Sequence, residues 1–331
     1  MSTHTRKLKA GVAAAGAVVA LAVGLTGAQA QEKVWKHGIL EAKSDAGFIA
    51  MVDKGGFAAK RGLKVELLQI KAGATLMKAL LSGEIDSVDM GAAESIVAGA
   101  RGTGVKIVGC GWPGVPQVVL AKAEIKSLAD LKGRTVAISS PGSLPDLLFR
   151  GMLNEANVPF ADVKLATQGA DLDRYKSLVA GVTDAAIVSN EFEAVMPPNI
   201  KVLAKGSTAV PNFLRLCVAT SSKVLSERRD DLVKFVAAEM DAYRFALANR
   251  AETIKVSHEM THAKPDDKRA EFITDEAIKN KQIDPALSIP LDRLDWMQNL
   301  FVKAGVIKQT VPIESIVDKS VNADAAKIAG K

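Results

Sequence analysis

Residues 139–143, Ser-Ser-Pro-Gly-Ser, follow the apolar run Thr135-Val136-Ala137-Ile138 and precede a helical pattern. Hydroxyls and unpaired N–H groups at a helix start suit a sulfonate, a carboxylate or nitrate, so Ser139, Ser140, Gly142 and Ser143 are candidate ligand contacts. Ser143 stands three residues before Asp146, the spacing of a capping box, with Pro145 tolerated in the first turn. Read as a plain strand-to-helix connection, the same turn binds nothing. A second pattern, His258-Glu259-Met260-Thr261-His262, matches H-E-x-x-H, which on a helix puts two imidazoles on one face around zinc with Glu259 as general base. Zinc needs a third protein ligand, and no later histidine exists, so Glu271 or Glu276 would have to serve. Pro265 also breaks the pattern. The motif is therefore taken as a chance match, and neither a metal nor a cofactor is expected.

Other loops carry small or polar residues where a solute could sit. Ser44 and Asp45 follow a first strand; Asp45 either pairs with an amine or merely starts a helix. Gly91, Ala92, Ala93, Glu94 and Ser95 form another loop, whose small residues let a ligand approach the backbone and whose Glu94 is expected to favour the helix dipole. Asn190 and Glu191 could read a ligand donor, and Phe192 could stack. Trp112 is either a cleft-wall platform or a tryptophan packed at a hinge. Asp45, Glu94 and Glu191 together disfavour a simple anion and lean the reading towards a zwitterionic, amine-bearing or heteroaromatic solute.

The elements that must position these residues alternate. Strands are predicted over residues 34–40, 63–70, 87–90 and 105–110, with helices over 47–57, 73–81 and up to 101 between them. This order indicates an α/β layer with a largely parallel sheet. The order then begins again. Residues 78–86, Lys-Ala-Leu-Leu-Ser-Gly-Glu-Ile-Asp, are echoed 98 residues later by Lys-Ser-Leu-Val-Ala-Gly-Val-Thr-Asp, and a strand follows each copy. At that offset the loop around Ser44 falls on the loop around Gly142. Two similar lobes would bring four or more loops at carboxyl ends of strands into one cleft. Residues 117–122 and 213–218 are the candidate crossings between lobes, and residues 232–248 and 294–304 are amphipathic helices expected to pack back on the first lobe. Residues 283–290 read as a loop.

Of the 331 residues, the first 30 have the pattern of an export signal: Arg6, Lys7 and Lys9, then an apolar stretch, then Ala28-Gln29-Ala30. Cleavage is expected after Ala30. Removing those three basic residues takes the formal charge from +6 to +3, and no basic block or basic-aromatic interleaving points to nucleic acid. Cys110 and Cys217 lie in apolar strand-like runs; export permits a disulfide, and two buried thiols are the alternative.

Four stretches carry a family resemblance: residues 54–67 (Lys-Gly-Gly-Phe-Ala-Ala-Lys-Arg-Gly-Leu-Lys-Val-Glu-Leu), 76–108, 125–148 with Ser-Leu-Ala-Asp-Leu-Lys-Gly-Arg-Thr-Val, and 181–189. Residues 294–319, with Ala304-Gly305-Val306-Ile307 and Val317-Asp318, add to it. The chain resembles periplasmic solute-binding proteins of the nitrate/sulfonate/taurine ABC-transporter type, a superfamily shared with binding proteins for thiamine-pyrimidine precursors. The resemblance implies a type II periplasmic-binding-protein fold: two Rossmann-like α/β lobes with a hinge. Lobe I would comprise residues 31–116 plus 214–331, and lobe II residues 117–213. It also implies a monomeric, periplasmic, non-enzymatic protein that captures a small organic solute or oxyanion for an inner-membrane permease and ATPase. A pyrimidine synthase on the same fold is the enzyme alternative beside the zinc reading. It lacks support, since there is no cysteine cluster and His37 falls inside the first strand.

Overall fold

The computed structural model describes residues 34–264 and 266–330; the export-signal segment, its cleavage point after Ala30 and Pro265 lie outside the described residues. Among the described residues ten strands form two five-stranded sheets. In chain order they are β1 (Trp35–Leu40), β2 (Val65–Ile70), β3 (Ser87–Gly91), β4 (Val105–Trp112), β5 (Gln117–Lys122), β6 (Thr135–Ile138), β7 (Lys164–Thr167), β8 (Ala185–Ser189), β9 (Ile200–Lys205) and β10 (Leu216–Ser221). The first sheet runs β2-β1-β3-β10-β4 and the second β7-β6-β8-β5-β9. β1 is parallel to β2 and β3, while β10 is antiparallel to β3 and β4. The second sheet repeats this, with β6 parallel to β7 and β8, and β5 antiparallel to β8 and β9. The expected α/β class with two similar halves is borne out. Each sheet is mixed rather than largely parallel, because a strand next to a crossing inserts into it.

The 98-residue repeat has a physical basis. The helices Gly73–Ser82 and Asp171–Val179 are followed by Gly83 and Gly181, both left-handed (φ 78° and 75°), a conformation that costs a Cβ-bearing residue energy. Three residues on, Asp86 and Asp184 immediately precede β3 and β8. The Asp86 carboxylate accepts the Lys36 N–H at 2.8 Å, and that of Asp184 accepts the Thr135 N–H at 3.0 Å. Each aspartate thus ties the third strand of its half to the start of the first. One expected element differs: instead of a single helix over residues 47–57 there are two short turns, Ala46–Ile49 and Met51–Lys54.

The crossings also differ from expectation. Residues 117–122 are β5, wholly inside the second sheet, so the outward crossing is residues 113–116, where Pro113 and Pro116 withhold ladder donors. The return crossing ends at β10. Arg293, on helix Leu291–Lys303, donates to the carbonyls of Pro113 (3.1 Å), Pro211 (3.3 Å), Asn212 (3.3 Å) and Phe213 (2.9 Å), so one guanidinium holds both crossings. Cys110 and Cys217 form a disulfide joining β4 to β10; with a separation of 107 residues it encloses everything between the crossings. The open choice between a bridge and two thiols falls to the bridge.

Helix Arg229–Ala248 covers the first sheet, where Trp35, Trp112, Phe235, Met240 and Tyr243 form an apolar core. Helix Leu291–Lys303 reaches further than its expected place on the first lobe. Its Leu294, Met297, Leu300 and Phe301 share one core with Ala92 and Ile96 on one side and Leu147, Phe149 and Met152 on the other. Residues 280–290 form a loop, which takes in the expected residues 283–290.

Candidate ligand cleft

The candidate loops leave the carboxyl ends of β1, β3, β6 and β8. β10 starts at the same edge of the first sheet, with Leu216 opposite Gly91 and the Ala92 N–H donating to the Arg215 carbonyl at 3.0 Å. Ser44 and Asp45 are buried at the end of β1. Asp45 forms an ion pair with the buried Arg215, which lies 4.0 Å over the Trp112 ring; Trp112 in turn meets Phe48 edge-on at 5.3 Å. Asp45 caps no helix with its side chain. Its partner is the buried Arg215, so its charge is paired, although Glu191 still feels it.

Polar contacts join the halves. Lys43, in the loop before Asp45, forms an ion pair with Asp171 at the start of helix Asp171–Val179. Asp171 also pairs with the buried Arg174 and accepts the Ser189 N–H at 3.3 Å. Burial works to raise the Asp171 pKa, but Arg174 and Lys43 outweigh it and hold the carboxyl far below the ordinary range. A further contact is made by Glu94, which accepts the Leu144 N–H at 2.7 Å. A Cβ on Gly91 would lie 1.7 Å from Glu94 Oε2 and 3.2 Å from Leu144, so glycine is required for this carboxylate to cross. Glu94 was expected to serve the dipole of its own helix, Ala92–Ala100; it also bridges to helix Leu144–Glu155. Burial raises its pKa to about 7, against the lowering effects of its own N–H, that of Leu144, and Lys43.

The serine turn is mostly satisfied within itself. The Ser143 hydroxyl donates to the Ser140 carbonyl at 2.6 Å, and the Gly142 N–H donates to Asp146 at 2.7 Å. The expected capping box is absent: Ser143 is the N-cap but makes no side-chain cap bond, and Asp146 also accepts from Arg150 at 3.0 Å. Together with Glu94 on Leu144, this leaves the helix start well supplied with acceptors.

On the facing side, Asn190 and Glu191 are buried in the turn Asn190–Val195. Burial pushes Glu191 to about 8, aided by the negative charges of Asp45 and Asp171 and opposed by a Ser44 hydrogen bond and Lys43. Glu191 of the second half therefore faces Ser44 and Asp45 of the first. Phe192, expected to stack on a ligand, stacks on Tyr175 at 4.7 Å. Several buried polar atoms here lack a protein hydrogen-bond partner: Trp112 Nε1, Arg215 Nη1 and Ser95 Oγ in the first half, and Ser189 Oγ, Asn190 Oδ1 and Glu191 Oε2 in the second. Trp112 Nε1 and Arg215 Nη1 are donors only.

The model for NMT1/THI5-like proteins matches residues 44–253, most of both halves. The chain belongs to this family. A family relative described as an aliphatic sulfonates-binding protein, from Escherichia coli (strain K12), is 30% identical over 149 residues. That match spans 44% of this chain and 46% of the relative, less than half its length. Among solved structures, the alkanesulfonate-binding protein SsuA from Xanthomonas axonopodis pv. citri, bound to MOPS, superposes with a TM-score of 0.71 at 18% identity, covering 86% of this chain and 98% of that one. The periplasmic nitrate-binding protein NrtA from Synechocystis PCC 6803 gives 0.72 at 16% identity, covering 90% and 89%. At these identities the likeness shows the fold: two α/β lobes of the periplasmic-binding-protein type.

Sequence reasoning missed Lys43, Asp171, Arg174 and Arg215. Arg215 had a signal, being the lone charge in the apolar run Phe213-Leu214-Arg215-Leu216-Cys217, where a buried cation demands a partner. The zinc motif fails on geometry. Helix Arg250–Thr261 ends before His262, which turns left-handed (φ 50°) and is exposed while His258 stays half-buried, so the imidazoles do not share a helical face. Among the described residues no helix is long and apolar enough to cross a membrane.

Proposed function

We propose that this chain is the solute-capturing component of an ABC importer, exported to the periplasm after cleavage at Ala30, and that it returns its solute unchanged. The lobes, residues 31–116 plus 214–331 and residues 117–213, close over one small molecule. Family membership and fold support capture. The observation that carries the solute class is the Asp45–Arg215–Trp112 stack, which keeps donor-only atoms at the edge where the loops converge. Asp45 is paired there, and Glu94 and Glu191 hold protons at or near neutral pH. The three acidic residues therefore do not repel an anion as their count suggests, and the reading moves to a solute with an acceptor-rich head, a sulfonate, carboxylate or nitrate. Glu191 when protonated, Ser189 and Asn190 complete the second wall.

A thermal-shift screen tests this with taurine, alkanesulfonates, nitrate, bicarbonate, aromatic carboxylates and aminopyrimidines. A solute at 100 times its Kd adds about 2.7 kcal/mol of stability. A sulfonate, carboxylate or nitrate hit supports the reading. A response confined to aminopyrimidines overturns the anion assignment, and chemical conversion of a bound solute overturns capture itself.

A further inference from the structure

His37 on β1, Asp89 on β3 and Glu239 on helix Arg229–Ala248 converge inside the first half. Their side chains are 0%, 4% and 2% exposed. His37 Nε2 lies 3.7 Å from Asp89 Oδ2 and 3.9 Å from Glu239 Oε1, and one ligating atom from each residue falls within 4.8 Å of the other two. These spacings are too wide for hydrogen bonds. His37 Nε2, Asp89 Oδ2 and both Glu239 oxygens have no hydrogen-bond partner. Four orphaned polar atoms in one dry place are costly unless something joins them.

We infer that His37, Asp89 and Glu239 form a buried binding site for a divalent first-row metal ion of the Zn²⁺ type. Zinc bonds to imidazole nitrogen and carboxylate oxygen of about 2.0–2.2 Å place tetrahedral neighbours about 3.4 Å apart, so the two edges to His37 need to close by only about 0.3–0.5 Å, while the carboxylate–carboxylate edge, within 4.8 Å, closes by a side-chain adjustment of up to about 1.4 Å. The two Glu239 oxygens belong to one carboxylate and count as one tetrahedral corner, so the three side chains fill three positions and the ion would fasten β1 and β3 to the covering helix. Two carboxylates balance the dication. An imidazole among the donors favours zinc-like metals over calcium or magnesium, which prefer all-oxygen sites.

The surroundings support the assignment. His37 Nδ1 lies 2.8 Å from Ser87 Oγ, which also accepts the Trp35 Nε1–H at 3.0 Å. A serine oxygen accepts two hydrogen bonds, so Nδ1–H can donate to it and leave the Nε2 lone pair facing the carboxylates. Phe235 lies 4.6 Å from the imidazole and shuts out water.

The test uses the untagged full chain, stripped with a chelator and titrated with ZnCl₂, with metal counted by mass spectrometry after gel filtration. The expected result is one Zn²⁺ per chain, a higher Tm on binding, and no comparable uptake of Ca²⁺ or Mg²⁺. Because His37→Ala also opens a core cavity, Glu239→Gln, which keeps shape and volume, is the deciding variant. It should fold, lose at least 100-fold in Zn²⁺ affinity and show no metal-dependent rise in Tm. Ser87→Ala should lose roughly 10- to 100-fold, and His258→Ala should bind as the wild type does. A folded wild type that takes up no stoichiometric zinc overturns the site. So does uptake that survives Glu239→Gln or is abolished by His258→Ala.

Discussion

Raising the pH should open the cleft. With the lobes together Glu94 sits near 7 and Glu191 near 8, against 4.5 for the unperturbed carboxyl. Burial is the first cause of both shifts, so both relax when the lobes part and water reaches the carboxyls. A pKa raised by closure means the closed form holds more protons than the open form above pH 4.5. The resulting preference for closure is complete below 4.5 and is lost as pH climbs through 7 for Glu94 and through 8 for Glu191. Between pH 6 and 9, Glu191 alone weakens closure about 90-fold and Glu94 about tenfold, together about 4 kcal/mol on an order-of-magnitude basis. The Lys43–Asp171 pair opposes opening throughout. Small-angle scattering of solute-free protein at pH 6 and pH 9 reads the change as a larger radius of gyration at high pH. Glu191→Gln, neutral at every pH, should remove most of the response. An unchanged radius in the wild type, or an equal expansion in Glu191→Gln, refutes the reasoning.

Alkylation without reductant should label neither Cys110 nor Cys217, and replacing both with alanine should cost up to about 4.7 kcal/mol in chemical denaturation, since the bridge closes a loop of more than 100 residues. Arg293→Met should leave the crossing carbonyls without their donor, lower stability by about 2–4 kcal/mol, and speed amide exchange near Phe213. Gly83→Ala and Gly181→Ala should each cost about 1–2 kcal/mol in thermal unfolding, because both positions are left-handed; equal stability would mean that the repeat rests on something other than its turns.

What the sequence revealed was local. The helix–Gly–Asp–strand repeat was readable because each step is short-range: a left-handed glycine three residues before an aspartate that holds the neighbouring strand. The loops at the strand ends were readable for the same reason. Long-range pairing was not. β10 enters the first sheet from beyond the second, and nothing in its residues marks the strands it will separate. Lys43 and Asp171 look like ordinary surface charges until the fold sets them facing each other. Ser143 and Asp146 had capping-box spacing, yet Gly142 and Arg150 took the carboxylate first. His37 read only as a strand residue, because Asp89 and Glu239 are 52 and 202 positions away.

The central claim is that the two lobes hold one small solute and release it intact. Native mass spectrometry of the protein with the best solute from the thermal screen tests it directly. The account predicts a single bound molecule per chain, recovered at its original mass after denaturation, with binding lost in Arg215→Gln made together with Asp45→Asn, which removes the pair without stranding a charge. A bound molecule recovered with altered mass, or undiminished binding in the double variant, would contradict it.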